Sequence, residues 1–243
     1  MGKANLNNTA YEERLGTDRM LPLVLRMAMP SVAAQIVNLL YNLVDRIYIG
    51  HIPGIGTDAL AGIGVTGAII ILISAFSAIV SGGGAPLAAI ALGQGDRKRA
   101  GQTLGNGFVL LLIFTLLTTT LTYLFMEPLL MFTGASENTV GYAKDYLSIY
   151  LLGTLFVETS VGLNTFINTQ GRPAIAMYSV LIGAVLNIIL DPIFIFVMGM
   201  GVRGAALATV ISQACSALWI VSFLTSKRAS LRLECRYMRP TET

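Results

Sequence analysis

Apolar residues in this chain run in long uninterrupted stretches, and polar residues gather between them. Residues 27–44, 59–95, 100–126, 159–171, 173–190 and 204–226 contain no Asp, Glu, Lys or Arg. A helix crossing a bilayer needs about 20 mostly apolar residues, because the hydrocarbon core is about 30 Å thick and each residue rises about 1.5 Å. The runs predict six helices, near 22–49, 60–84, 104–126, 146–169, 174–198 and 204–225. The stretches do not alternate with period two, which speaks against a β-barrel. The expected fold class is all-α integral membrane, a six-transmembrane-helix bundle. A polar tail over 1–21 precedes it, and a basic tail over 226–243 follows it.

Composition agrees with that pattern. Of the 243 residues, 54% are hydrophobic and 12% charged, about half the charged share of a soluble domain. So few charges cannot solvate the outside of a globule of this length, which excludes a soluble enzyme, a disordered chain and a disulfide scaffold. Cys215 falls mid-span and Cys235 in the final tail, so they read as unpaired. The single histidine, His51, falls in a loop and reads as solvent-facing rather than metal-binding.

Charge adds a direction. Lys3, Arg14, Arg19, Arg97, Lys98, Arg99, Arg172, Lys227, Arg228, Arg232, Arg236 and Arg239 all fall on one side of the predicted bundle. They are twelve of the sixteen basic residues; the opposite loops hold Arg203, with Lys144 just beyond. Lys and Arg collect in cytoplasmic loops, so both termini are expected in the cytoplasm of a multi-pass cell-membrane protein. The polar start has no apolar core followed by a cleavage site, so it is not expected to be a signal peptide.

Polar groups inside the spans are costly in lipid and therefore mark function by default. The first span carries Gln35, Asn38, Asn42 and Asp45 at spacings of three and four, one stripe on one helix face. Such a stripe either joins helices or lines a wet cavity. Arg26 and Arg46, near the ends of that span, can reach the headgroups. In the fifth span Asn187 and Asp191 share a face and Pro192 follows. Proline has no N–H, so the carbonyl of Ile188 loses its helical partner. A carboxylate, an amide oxygen and freed carbonyls suit Na⁺, and the carboxylate alone suits a proton. The alternative is a kinked helix whose Asp is held by a neighbouring hydroxyl. The sixth span offers Thr209, Ser212, Gln213 and Ser216 on one side, with Thr209 at a depth comparable to Asp45 and Asp191. The fourth adds Glu158, Asn164 and Asn168, open between helix packing and a substrate path. The run Ser81–Pro86 is expected to break or bend the second span, and Gly50, Pro53, Gly54 and Gly56 to tighten the loop after the first.

Several chemistries are missing from the sequence. There is no G-x-x-x-x-G-K-[ST], no H-E-x-x-H, no nucleophile elbow and no repeated carbonyl-filter motif. The chain reads as neither an enzyme nor a channel, and nothing in it reads as a nucleic-acid surface. No cofactor is expected; any energy would come from an ion gradient.

Three stretches resemble the multidrug and toxic compound extrusion (MATE) transporters: PSVAAQIVNLLYNLVDRIYIG at 30–50, ALGQGDRKRAGQTLGN at 91–106, and TQGRPAIAMYSVLIGAVLNIILDPIFIFVMGMGVRGAALATVISQ at 169–213. The resemblance covers about residues 20–225. It implies cation-coupled (Na⁺ or H⁺) antiport of drugs and other organic, often cationic, amphipathic compounds. It also implies twelve helices in two lobes, of which this chain supplies the first, its tail from Lys227 resembling the start of the inter-lobe linker. The missing second lobe, or a second copy, would then be a partner beside the lipid bilayer. Carried over residue by residue, the family's first-lobe cation site falls on Asp45, Asn187, Asp191 and Thr209. The backbone carbonyl of Ala205 would complete that site, and Asn164 resembles a cavity-lining position. Two alternatives stand beside this reading: a lipid-linked precursor flippase of the same superfamily, and a non-transporting membrane scaffold or fragment.

Overall fold

The computed structural model describes residues 20–237; the side chains of Met20, Pro22, Leu23, Arg26, Met27 and Cys235 lie outside the description. The tail residues 1–19 and 238–243, with Lys3, Arg14, Arg19 and Arg239, also lie outside it. Eight α-helices follow in order: α1 Met20–Gly50, α2 Gly56–Ile79, α3 Ala85–Gly93, α4 Arg97–Leu124, α5 Met126–Phe132, α6 Val140–Thr169, α7 Pro173–Pro192 and α8 Val202–Thr225. No strand occurs among the described residues, as the lack of period-two alternation requires.

Among the described residues, five stretches are long and apolar enough to cross a membrane: α2 through α3, α4, α6, α7 with its extension, and α8. α1 has the length as well, 31 residues or about 46 Å. The chain is a multi-pass membrane protein. Helix ends extend beyond the charge-free runs. α4 begins at Arg97 rather than near 104, because Gly95 turns the chain at φ +77° and Asp96 caps the helix, accepting a 2.9 Å hydrogen bond from the Arg99 amide. α6 likewise begins at Val140, and the short α5 lies in what the charge pattern left as a loop.

The glycine run does not break the second span. Val80–Gly84 form one wide i→i+5 turn that joins α2 to α3 without leaving the helix. Such a turn inserts an extra residue and shifts the register of side chains beyond it. A second wide turn, Ile193–Val197, follows Pro192 at the end of α7. Both occur where the i→i−4 ladder is weak, at three glycines and after a proline. The tight turn between α1 and α2 depends on Gly56, where a Cβ would stand 2.1 Å from the Gly50 carbonyl oxygen.

α6 is the central helix. Buried residues make up 67% of its most apolar stretch, against 17–33% in the other four apolar spans. It packs most extensively on α8, and small residues set that approach. A Cβ on Gly153 of α6 would stand 2.3 Å from a Val210 methyl of α8. Apolar clusters occupy the two ends of the bundle. Leu104, Leu163, Phe166, Ile220 and Leu231 meet at one; Ile49, Tyr146, Ile195 and Ala205 meet at the other.

The first of these ends is the basic one. The chain after α8 folds back over it, burying Ala229, Leu231 and Leu233. The Leu231 amide donates to Gln170 Oε1 at 3.0 Å. Tyr237 fills the space above Gly101 and Gly105, where side chains would collide with it. Arg97–Arg99, Arg172 and Lys227–Arg236 therefore share one end. At the opposite end the basic groups are matched by acids, Lys144 with Glu127 at 2.7 Å and Arg203 with Asp145 at 2.8 Å.

Gly153→Ala is expected to overpack the α6–α8 seam and cost about 1–3 kcal/mol, read as a lower thermal midpoint in detergent. Adding Val210→Ala should recover most of that loss. An unchanged midpoint for Gly153→Ala would show that the seam yields freely.

Candidate functional site

A cavity of about 490 Å³ opens between α1, α6, α7 and α8. α1 contributes its whole polar stripe, Gln35, Asn38, Asn42 and Asp45, with Ser31 and Tyr41. α6 contributes Tyr146, Tyr150, Ser160, Asn164, Thr165 and Asn168; α7 contributes Met177 and Val180; α8 contributes Thr209, Gln213 and Ser216. Ser74 and Ile70 of α2 complete one side. Among the described residues, no Lys or Arg lines the cavity. The stripe on α1 was open between helix glue and a wet surface, and here it faces the cavity.

Four of the predicted cation-site residues converge at the wall where α1, α7 and α8 meet. Asp45 is buried, and its carboxyl lies within hydrogen-bonding reach of the Asp191 carboxyl from α7. The Asn187 amide nitrogen donates to Asp191 Oδ1 at 3.2 Å and to Thr209 Oγ1 at 3.4 Å. One amide therefore ties α7 to itself and to α8. Asp45 Oδ1, Asn187 Oδ1, Asp191 Oδ2 and the Ser212 hydroxyl are buried and have no protein partner. Buried acceptors left without donors are costly. Two facing carboxylates also repel unless a proton or a cation lies between them. The donor set consists of hard oxygens, which suits Na⁺ as well as a proton. Ala205, one turn before Thr209 on α8, is fully buried in the apolar cluster at this end.

The other predicted residues divide. Asn164 is on the cavity wall, and its amide also donates to Ser179 Oγ at 2.7 Å and to the Ala176 carbonyl at 3.2 Å. It thus serves both the cavity and the α6–α7 contact. Glu158, left open between helix packing and a substrate path, is not part of the lining. It is 1% exposed behind the wall, where Ser74 donates at 2.9 Å and Ser77 also donates. Its place follows from α2 presenting two hydroxyls three residues apart on the face turned to α6. Arg46 is exposed, and His51 is exposed with its ring 2.8 Å from the Ile47 carbonyl.

Three tyrosines of the site have no counterpart in the polar-stripe reasoning. Tyr146 and Tyr150 lie one helical turn apart with ring centroids 6.0 Å apart, and the Tyr146 hydroxyl bonds Thr209. Tyr41 bonds Asn42 and Gln213. Each has an aromatic body that reads as apolar and a hydroxyl that needs a partner when buried. Tyr41 does occupy a stripe position, three residues after Asn38 and four before Asp45, and that spacing was the available signal.

Residues 30–193 match the MatE family, and the chain belongs to it. A multidrug export protein, MepA, of Staphylococcus haemolyticus is 27% identical over 219 residues, covering 90% of this chain and 48% of that protein. A FAD transporter of Shewanella oneidensis is 29% identical over 208 residues, covering 84% of this chain and 44% of that protein. A crystal structure of a MATE protein in the bent conformation superposes with a TM-score of 0.82 at 29% identity, covering 90% of this chain and 48% of that one. A straight conformation gives the same TM-score at 28% identity, with the same coverage. The chain spans about half the length of the curated relatives it matches.

Glu158 depends on its two serines. Ser74→Ala with Ser77→Ala is expected to leave a buried carboxyl without donors and lower stability by about 1–3 kcal/mol. Glu158→Leu in that background removes the orphaned group and should restore much of it. A thermal melt of the parent and the two variants in one detergent is the measurement; no change in the double serine variant would rule the arrangement out.

Proposed function

We propose that this chain is the first lobe of a cation-coupled antiporter that exports organic, amphipathic compounds across the cell membrane. The observation that carries the reading is the pair Asp45–Asp191, drawn from α1 and α7 onto the wall of a polar cavity with Asn187 and Thr209 beside it. The coupling ion, Na⁺ or H⁺, binds at Asp45, Asn187, Asp191 and Thr209, with the Ala205 carbonyl as a further ligand. The basic end of the bundle faces the cytoplasm, so the ion reaches the site from the opposite side. A second lobe or a second copy completes the cleft through which substrate leaves.

The cavity's chemistry favours a cationic or neutral substrate. Its lining offers Asp45, several amides and the faces of Tyr41, Tyr146 and Tyr150, which suit an organic cation. A phosphate-bearing substrate, such as a flavin dinucleotide or a lipid-linked precursor, needs basic side chains for its charge. The lining's described residues supply none.

Coupling works by differential binding. A cation held between Asp45 and Asp191 draws α1 towards α7, so ion binding favours one shape of α1 and substrate binding the other. The relatives described in bent and straight conformations are consistent with a helix bundle that has two such shapes. Asp45→Asn and Asp191→Asn in the full-length protein are expected to lower ion-driven efflux roughly tenfold or more, within the range of ordinary site-to-site coupling. The measurement is drug efflux from proteoliposomes under imposed Na⁺ or pH gradients. Ion-dependent efflux that survives both substitutions would overturn the assignment, and no efflux under either gradient would favour a non-transporting chain.

A further inference from the structure

Of the three buried acids among the described residues, Glu158 is the one outside the Asp45–Asp191 wall. It lies on α6 behind the cavity, yet a single hydroxyl separates it from the lining. Ser74 of α2 lines the cavity and donates to Glu158 Oε1 at 2.9 Å. Ser77, buried about one turn further along α2, donates to Oε2. Val157, next to it in sequence, and Tyr150, about two turns before it, line the cavity as well. Ser74, Ser77 and Ser81 follow at spacings of three and four, so they form one row on α2. Ser74 and Ser81 of that row both reach the cavity.

The side chains bonded to this carboxyl are neutral hydroxyls. α6 packs on α2, α3, α4, α5, α7 and α8. Among the described residues, the charges on those helices are Asp58, Arg97–Arg99, Glu127, Asp191 and Arg203, and α6 itself adds Lys144 and Asp145 at its start. All but Asp191 stand at helix ends, and Asp191 belongs to the wall shared with α1 and α8. Tyr150 is the titratable side chain that feels the charge of Glu158. An ionised carboxylate buried without a cation is costly, and hydroxyl donors offset only part of that cost. A carboxyl that keeps its proton avoids it. A positive charge arriving in the cavity reverses the balance, because opposite charges attract far more strongly in a low-dielectric surrounding than in water.

We propose that Glu158 is a second proton site of the antiporter, protonated while the cavity holds no cation and ionised when an organic cation enters. The proposal rests on the cavity taking such a substrate. The proton of the carboxyl O–H passes to Ser74 Oγ, and the hydroxyl's own proton passes to water in the cavity. The carboxylate is left with its two hydroxyl donors. One cation enters for each proton released, so the net charge of the lobe is unchanged.

The test is proton release from the full-length protein on adding tetraphenylphosphonium, a cation with no proton of its own to give. A pH indicator in weakly buffered detergent solution reads the release. Glu158→Gln, which can still hydrogen-bond both serines, should bind the cation and release about one proton fewer per cation than the parent. Glu158→Asp should restore the release, because the carboxyl rather than the side-chain shape carries the proton. Equal release from Glu158→Gln and the parent overturns the proposal, and so does a Glu158→Asp variant that binds the cation without releasing the proton. The double variant Asp45→Asn with Asp191→Asn separates this site from the coupling wall. It should bind the cation more weakly and still release the Glu158 proton, whichever ion the wall holds. Infrared difference spectra of that variant should show a protonated carboxyl lost on cation binding. No such loss overturns the proposal even where Glu158→Gln fails to fold, while the coupling wall stands or falls on ion-driven efflux. A parent that binds no tetraphenylphosphonium overturns both the proposal and the cationic-substrate reading.

Discussion

Two carboxyls from different helices, Asp45 of α1 and Asp191 of α7, face each other in a buried wall, and the arrangement of the bundle follows from holding them there. In an apolar slab a polar group must find a partner or face a wet space, since the surrounding lipid offers no donors. α7 meets this requirement by setting the Asn187 amide one turn before Asp191, where it donates to Oδ1 at 3.2 Å. α8 meets it by placing Thr209 within reach of Asn187. α1 meets it by turning its amide stripe into the cavity and its leucines outward.

Close helix approach makes that wall compact. Gly153 lets α6 meet Val210 of α8, Gly183 lets α7 meet Ser216, and Gly204 lets α8 pass the backbone at Phe194. Between helices in lipid, packing and hydrogen bonds replace the hydrophobic drive that holds soluble cores together. Small residues therefore set the spacing, and polar side chains that would be orphaned at larger spacing become bonded pairs. Asn164 with Ser179, and Ser216 with the Ser179 carbonyl, are two such pairs. The same logic explains Glu158, whose charge-bearing group is absorbed by two hydroxyls of α2 rather than exposed to the cavity.

Much of the site was legible because helical periodicity is local. Gln35, Asn38, Asn42 and Asp45 announce one face from their spacing alone, and Asn187 with Asp191 does the same. The depth estimate that grouped Asp45, Asp191 and Thr209 needed only the start and end of each span. The role of Glu158 stayed open because spacing on α6 does not say which neighbour α6 turns towards. The three tyrosines were overlooked because a phenol counts as apolar in a pattern of hydrophobic and polar positions. The glycine run at Ser81–Gly84 was expected to break or bend a helix; it does not break it, because a wide turn keeps the backbone bonded while shifting the register.

Residue order alone thus determined the helical class, the apolar spans, the basic end and the polar stripes, because each depends on composition within a few turns of one helix. Only the tertiary structure decided which stripe meets which, since relative rotation and approach of helices are set by contacts far apart in sequence. It put Asp45 beside Asp191 and left Glu158 behind the wall. It folded Leu231 and Tyr237 back over the basic end, and it brought Gly84 and Gly107 against the buried Phe166 ring. Those outcomes depend on side-chain volume at individual crossings, where one methyl group more or less separates contact from collision.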